Sequence, residues 1–130
     1  MPWQLKLEPA KEMPIWRQIQ DGVRRAIASG ELLSGDALPS VREAAVNWRV
    51  NPATVSRAYR GLVDEGLLIV RRGDGTFVSE EIGGRAERLR EEELRSSANT
   101  FVDTAKALGA DEEESCRTIR VVWHERGENS

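Results

Sequence analysis

Six arginines between positions 40 and 72 are the residues of this chain best equipped for chemistry: Arg42, Arg49, Arg57, Arg60, Arg71 and Arg72, against three acids in the same stretch. A guanidinium stays charged at every physiological pH. Its planar fork of N–H donors suits phosphate oxygens and the O6/N7 edge of guanine. The spacing of these cations matters as much as their number. From Pro52 to Glu65, at 100° per residue, Val55, Ala58, Tyr59 and Leu62 fall on one side of a helix, with Val63 at its edge. Ala53, Arg57, Arg60 and Asp64 fall on the other side, flanked by Thr54 and Ser56. Small and hydroxyl residues at the N-terminal end of such a helix can approach a groove wall closely, and a long arginine one turn later can reach base edges. The pattern points to duplex DNA. Arg57 is the candidate for bidentate guanine contact, and Thr54 and Ser56 are candidates for phosphate or thymine-methyl contacts.

Other chemistries are poorly supplied. The acids at 91–93 and 112–114 are clustered, but they lie in runs on helix surfaces without a nucleophile, so they read as solvated faces and not as general acid/base groups. Gly73-Asp74-Gly75 lacks the Lys-Ser/Thr of a phosphate-cradling P-loop and precedes a strand, which makes it a hairpin tip. His124 has no companions. Cys116 reads as a small residue of the last helix, with a redox-sensing thiol as the alternative. With one Cys and one His, neither an internal disulfide nor a Cys/His zinc cage can form. No enzyme activity, cofactor or metal is expected.

The elements that must position these arginines can be read in order. Residues 1–13, with Pro2 and Pro9 in them and Pro14 after them, read as an arm or edge segment. Ile15, Trp16, Ile19, Val23, Ala26 and Ile27 form one face of an amphipathic helix entered at Pro14 and left at Ser29-Gly30, with Trp16 as a core anchor. Ser40-Val-Arg-Glu43 has the spacing of a capping box. The short helix it starts buries Val41, Ala44, Ala45 and Trp48. Asn51-Pro52 starts another helix after only Arg49 and Val50, and Gly66 suits its C-terminal end. Two helices joined this tightly make a helix-turn-helix. Leu67–Val70 and Thr76–Ser79 then read as a β-hairpin around a basic, glycine-lined tip, Arg71 to Gly75. Tyr59 is expected to pack in the core with one hydrogen bond, a phosphate contact being the alternative.

The fold class expected is therefore mainly α with a small β-hairpin (α+β): a winged helix-turn-helix over residues 14–80. A helical element over 84–125 and a frayed tail at 126–130 follow it. The candidate DNA-contacting set is Ser40, Arg42, Asn51, Ala53, Thr54, Ser56, Arg57, Arg60, Arg71, Arg72, Gly73, Gly75 and Thr76. A winged helix used only for protein contacts would carry an apolar outer face on its second helix. Here that face is polar and cationic.

Length and charge agree with this reading. The chain has 130 residues, 39% apolar and 32% charged, room for one compact domain and an appendage. The net charge of -3 conceals an uneven distribution. Residues 1–80 carry 11 basic and 10 acidic side chains, and residues 81–130 carry 8 and 12. No apolar run approaches a membrane span, and the N-terminal stretch lacks the apolar region of a secretory signal, so a cytoplasmic protein is expected.

The set Pro14–Ile19, Ser29–Leu32, Gly35–Glu43, Val50–Tyr59, Glu65–Leu67 and Arg72–Val78 resembles the GntR family of bacterial transcription regulators, over about residues 11–79. The Asn-Pro-Ala-Thr-Val-Ser-Arg-Ala-Tyr run looks like the short, YtrA-like branch. Arg42, Thr54, Arg72 and Gly73 match family DNA-contact positions, whereas Pro52 and Ser56 stand where many members carry Arg. Trp48-Arg49 stands where members often have a Leu-Gly turn. With some 50 residues left after the hairpin, the resemblance implies a two-helix C-terminal dimerisation element and no large effector domain. It also implies a repressor of its own operon, commonly beside genes for ABC-type transporters. It names no small-molecule effector.

A dimer is also expected on physical grounds. One recognition helix reads only a few base pairs, and two copies on a two-fold axis would read a palindromic operator. Leu94, Phe101, Val102, Leu108, Ile119, Val122 and Trp123 form apolar stripes with no evident partner in the winged helix, and a homodimer would cover them.

Overall fold

The computed structural model describes residues 3–128. Met1 and Pro2 of the expected arm, and Asn129 and Ser130 of the expected tail, lie outside the described residues. The elements are α1 (Ile15–Ser29), β1 (Ala37–Leu38), α2 (Val41–Trp48), α3 (Pro52–Asp64), β2 (Leu68–Arg71), β3 (Gly75–Val78), α4 (Arg85–Ala107) and α5 (Glu112–Glu128). A 3₁₀ turn at Glu80–Ile82 separates β3 from α4. The chain divides into two compact units, Met1–Glu91 and Glu92–Ser130, so α4 crosses the boundary between them.

In the first unit the apolar periodicities close on one core. Ile19, Val23, Ala26 and Ile27 of α1 meet Val55, Ala58, Tyr59 and Leu62 of α3, with Ala44 of α2, Leu67, Leu68 and Val78 completing it. Burying an aliphatic side chain of this size contributes about 1.5–3 kcal/mol, which is why the faces and not the local propensities fix the packing. The core reaches further along the chain than the expected boundary at residue 80. Ile82 and Leu89 are buried in it. Arg85 donates to the carbonyls of Glu65 (2.9 Å) and Gly66 (3.3 Å), covering the C-terminal end of α3.

Two expectations change. The wing is a three-stranded antiparallel sheet in the order β1-β3-β2, with Ala37 opposite Phe77 and Leu38 opposite Thr76. The stretch before α2, read as a connector, thus supplies an edge strand that covers β3. The segment from Trp3 to Met13, expected as an arm or edge segment, is fastened to the domain. Trp3 is 6% exposed and meets Trp48 edge to face at 5.9 Å between ring centres. Gln18 holds the backbone of Glu8 through both amide atoms, at 2.8 and 3.0 Å.

Along their shared seam α1 and α3 run parallel. Gln20, buried, donates to the Ala58 carbonyl (3.1 Å), and Arg24 grips both carboxylate oxygens of Glu65. A Cβ on Gly61 would meet the Gln20 amide and displace it from the Ala58 carbonyl.

In the second unit Gly109, at φ 78°, ends α4, and Asp111 caps α5 by accepting from the Glu114 N–H at 2.8 Å. α5 continues to Glu128, so residues 126–128 of the expected tail are helical. Ala105 is the buried apolar residue of this unit among the described residues. Phe101 is half-buried, whereas Leu94, Val102, Leu108, Ile119, Val122 and Trp123 are exposed, Trp123 at 75%. No described helix is long and apolar enough to cross a membrane.

Candidate nucleic-acid interface

The N-terminal end of α3 is built by three local devices. Asn51 caps it, its Oδ1 accepting from the Ala53 N–H at 2.8 Å, and Pro52 occupies the first turn where no N–H is needed. Upstream, Ser40 and Glu43 form the full capping box of α2 (3.0 and 3.3 Å). Tyr59 donates its hydroxyl to the Pro39 carbonyl at 2.7 Å, which pins α3 to the start of α2. Burial, with Glu43 nearby, pushes the Tyr59 hydroxyl pKa well above its ordinary value, so it remains a donor at any working pH. Tyr59 is thereby a positioning group in the core.

The turn between α2 and α3 rests on Arg49, which adopts the left-handed conformation at φ 54°, ψ 50°. It is the one non-glycine residue at positive φ among the described residues. A side chain there costs roughly 1–2 kcal/mol. Glycine's larger loss of chain entropy offsets about 0.5–1 kcal/mol of the relief. Arg49→Gly is therefore expected to raise the unfolding free energy by about 0.5–1 kcal/mol, read by denaturant titration; a loss of stability would contradict the assigned strain.

With this frame set, Ala53, Arg57 and Arg60 are exposed, and Thr54 and Ser56 are half-buried on the flanks. Arg42 is exposed in the first turn of α2. The guanidinium of Arg57 lies over the indole of Trp16, 4.2 Å from the ring centre. Sequence reasoning placed Trp16 in the core and Arg57 on the outside and missed that they touch. The signal was available only through the α1–α3 register, in which Trp16, Gln20 and Arg24 lie beside Arg57, Ala58 and Glu65 in turn.

At the wing the tip is a turn closed by the Asp74 N–H to the Arg71 carbonyl (2.9 Å), with Gly73 at φ 83° and Gly75 at φ 120°. Both conformations demand glycine. Arg72, Gly73 and Asp74 are exposed. Arg71 pairs with Glu80 at the surface (3.1 Å) and lies over the Phe77 ring (4.9 Å). Thr76 does not belong to the exposed tip. It is 8% exposed in the central strand, between Leu38 and Val70, because the unforeseen β1 covers it. Of the wing residues, Arg72 with the two glycines is the part that projects.

The arrangement offers helix-borne cations, small residues at a capped helix start and a basic, close-approaching turn. Comparison with known proteins agrees with it. Residues 16–78 match the family model for bacterial regulatory proteins of the gntR family. YhcF of Bacillus subtilis, an HTH-type transcriptional regulator, is 38% identical over 82% of this chain and 88% of its own. The HTH-type transcriptional repressor YtrA of the same organism is 41% identical over 58% of each chain. Among solved structures, a GntR family transcriptional regulator from Listeria monocytogenes superposes with a TM-score of 0.77 at 30% identity, covering 88% of this chain and 97% of that one. The DNA-binding domain of AraR, solved in complex with operator ORX1, superposes with a TM-score of 0.51 at 30% identity over 58% of this chain and 93% of its own.

Proposed function

This chain belongs to the GntR family of bacterial regulatory proteins, in its YtrA-like branch, and on that premise we propose that it is a dimeric transcriptional repressor that reads a palindromic operator in the cytoplasm. The observation that carries the proposal is the exposed cationic face of α3, with Arg57 and Arg60 outward from a helix whose opposite side is wholly buried. The N-terminal half of α3 enters the major groove, where Arg57 bonds a guanine edge and Ala53, Thr54 and Ser56 let the helix approach. Ser40, Arg42, Asn51 and Arg60 contact the flanking phosphates, and Arg72 with Gly73 and Gly75 contacts the backbone beside them. Arg71 adds to the same cationic surface; its pair with Glu80 is exposed and weak enough for a phosphate to replace the carboxylate.

The second unit supplies the pairing. Phe101, Thr118, Ile119, Val122 and Trp123 line one apolar groove between α4 and α5, and Leu94, Val102 and Leu108 add exposed apolar surface. Patches of this kind mark association sites. A second copy covers them and sets two recognition helices about one helical turn apart. Its acidic character keeps this unit off the DNA. Bound between polymerase and its start site, such a dimer blocks transcription, and the similar YtrA of Bacillus subtilis is named a repressor.

Selection from a pool of randomised duplexes by the full chain tests the reading. The expected product is an inverted repeat with half-sites separated by about one helical turn. A recovered pool without repeat symmetry would overturn the dimeric mode.

A further inference from the structure

We propose that Trp16 is the positioning residue for base readout by Arg57. A guanidinium has two kinds of surface. Its flat face is attracted to an aromatic ring, and its edge carries the N–H donors that recognise guanine. The Arg57 Cζ lies over the indole of Trp16, 4.2 Å from the ring centre, a contact made by the guanidinium's π surface and not by its N–H groups.

Arg71 provides the contrast within the same molecule. It also lies over a ring, that of Phe77, but one of its terminal nitrogens bonds the Glu80 carboxylate. Arg57 forms no ion pair among the described residues, so its donors remain available. The platform is itself fixed. Trp16 is half-buried and packs on the core, one turn before Gln20, which is locked to the Ala58 carbonyl next to Arg57. α1 therefore presents its first turn beside the first turns of α3, where base contacts are made. A long arginine otherwise loses several rotamers on binding, and holding it in one orientation beforehand spares a penalty worth about three- to tenfold in affinity.

The inference rests on the proposed reading of Arg57, and a double-mutant cycle separates the two. Full-length wild type, W16L, W16M, W16F, R57A and the W16L/R57A and W16M/R57A pairs are titrated against a duplex selected by the wild type and against its single-base-pair variants. Melting curves check that each variant is folded. W16M fills much of the indole's volume without a π face and serves if W16L does not fold. In the wild-type background W16L or W16M is expected to lower affinity about three- to tenfold and to flatten preference at the same base pair as R57A. In the R57A background either should add less than about twofold, and W16F should stay within about twofold of wild type. Equal losses in both backgrounds, or unchanged base preference in W16L and W16M, would overturn the positioning role. If R57A itself binds and discriminates like wild type, the assignment of Arg57 to the DNA fails first and takes this inference with it.

Discussion

A chain ended after Glu91 is expected to sediment as a monomer and to bind the operator at least about a hundredfold more weakly than the full chain. Two tethered modules convert the second half-site contact into an intramolecular event at roughly millimolar effective concentration. A lone module falls back toward the non-specific regime, where dissociation constants are about 10⁻⁴–10⁻⁶ M. The cut belongs after Glu91 because the first unit ends there and Leu89, 8% exposed, is part of its core. Arg85 also holds the C-terminal end of α3. A cut at the hairpin would remove both and confuse unfolding with loss of pairing. Sedimentation showing the shortened chain still dimeric would remove the role given to α4 and α5.

Arg57→Ala and Arg72→Ala are expected to fail in different ways. Losing a bidentate guanine contact costs about 1–3 kcal/mol of discrimination, so Arg57→Ala should lower operator affinity by roughly ten- to a hundredfold and flatten preference at one base pair per half-site. Arg72 is exposed at the wing tip, in a turn and not on the helix that enters the groove. Its replacement should weaken all duplexes alike and reduce the salt dependence by about one phosphate contact per protomer. Quantitative binding to the operator and to single-base variants at several salt concentrations distinguishes them. If Arg57→Ala lost affinity uniformly while Arg72→Ala changed base preference, the orientation of α3 in the groove would have to be redrawn.

Much of this interface is legible in the residues because helix periodicity and capping are local. The face of Val55, Ala58, Tyr59 and Leu62 is buried as the 100° step requires, and Ser40 and Asn51 cap their helices as their spacing indicates. What escaped the sequence depends on contacts distant along the chain. β1 is two residues long, too short for any alternation to show, and exists because β3 needs a partner on its free edge. Thr76, expected in the return strand and among the DNA contacts, is buried in the central strand of that sheet. Nothing in the proline-bearing segment around Trp3 points to Trp48, 45 positions later, which is its partner. Arg71 and Arg72 are neighbours of identical type. Only the fold brings Glu80 to one of them. The stack of Arg57 on Trp16 likewise follows from the parallel register of α1 and α3, which neither helix encodes alone.

On this reading the face of α3 and the wing tip bind duplex DNA through phosphate neutralisation as well as base contacts. The most direct test is the affinity of the full chain for a duplex carrying its selected site, followed from about 50 to 200 mM salt. Tight binding at the low end is expected, with a linear fall of log affinity with log salt, steep enough to report several released counterions. Absence of binding at 50 mM salt, or binding indifferent to salt, would contradict it.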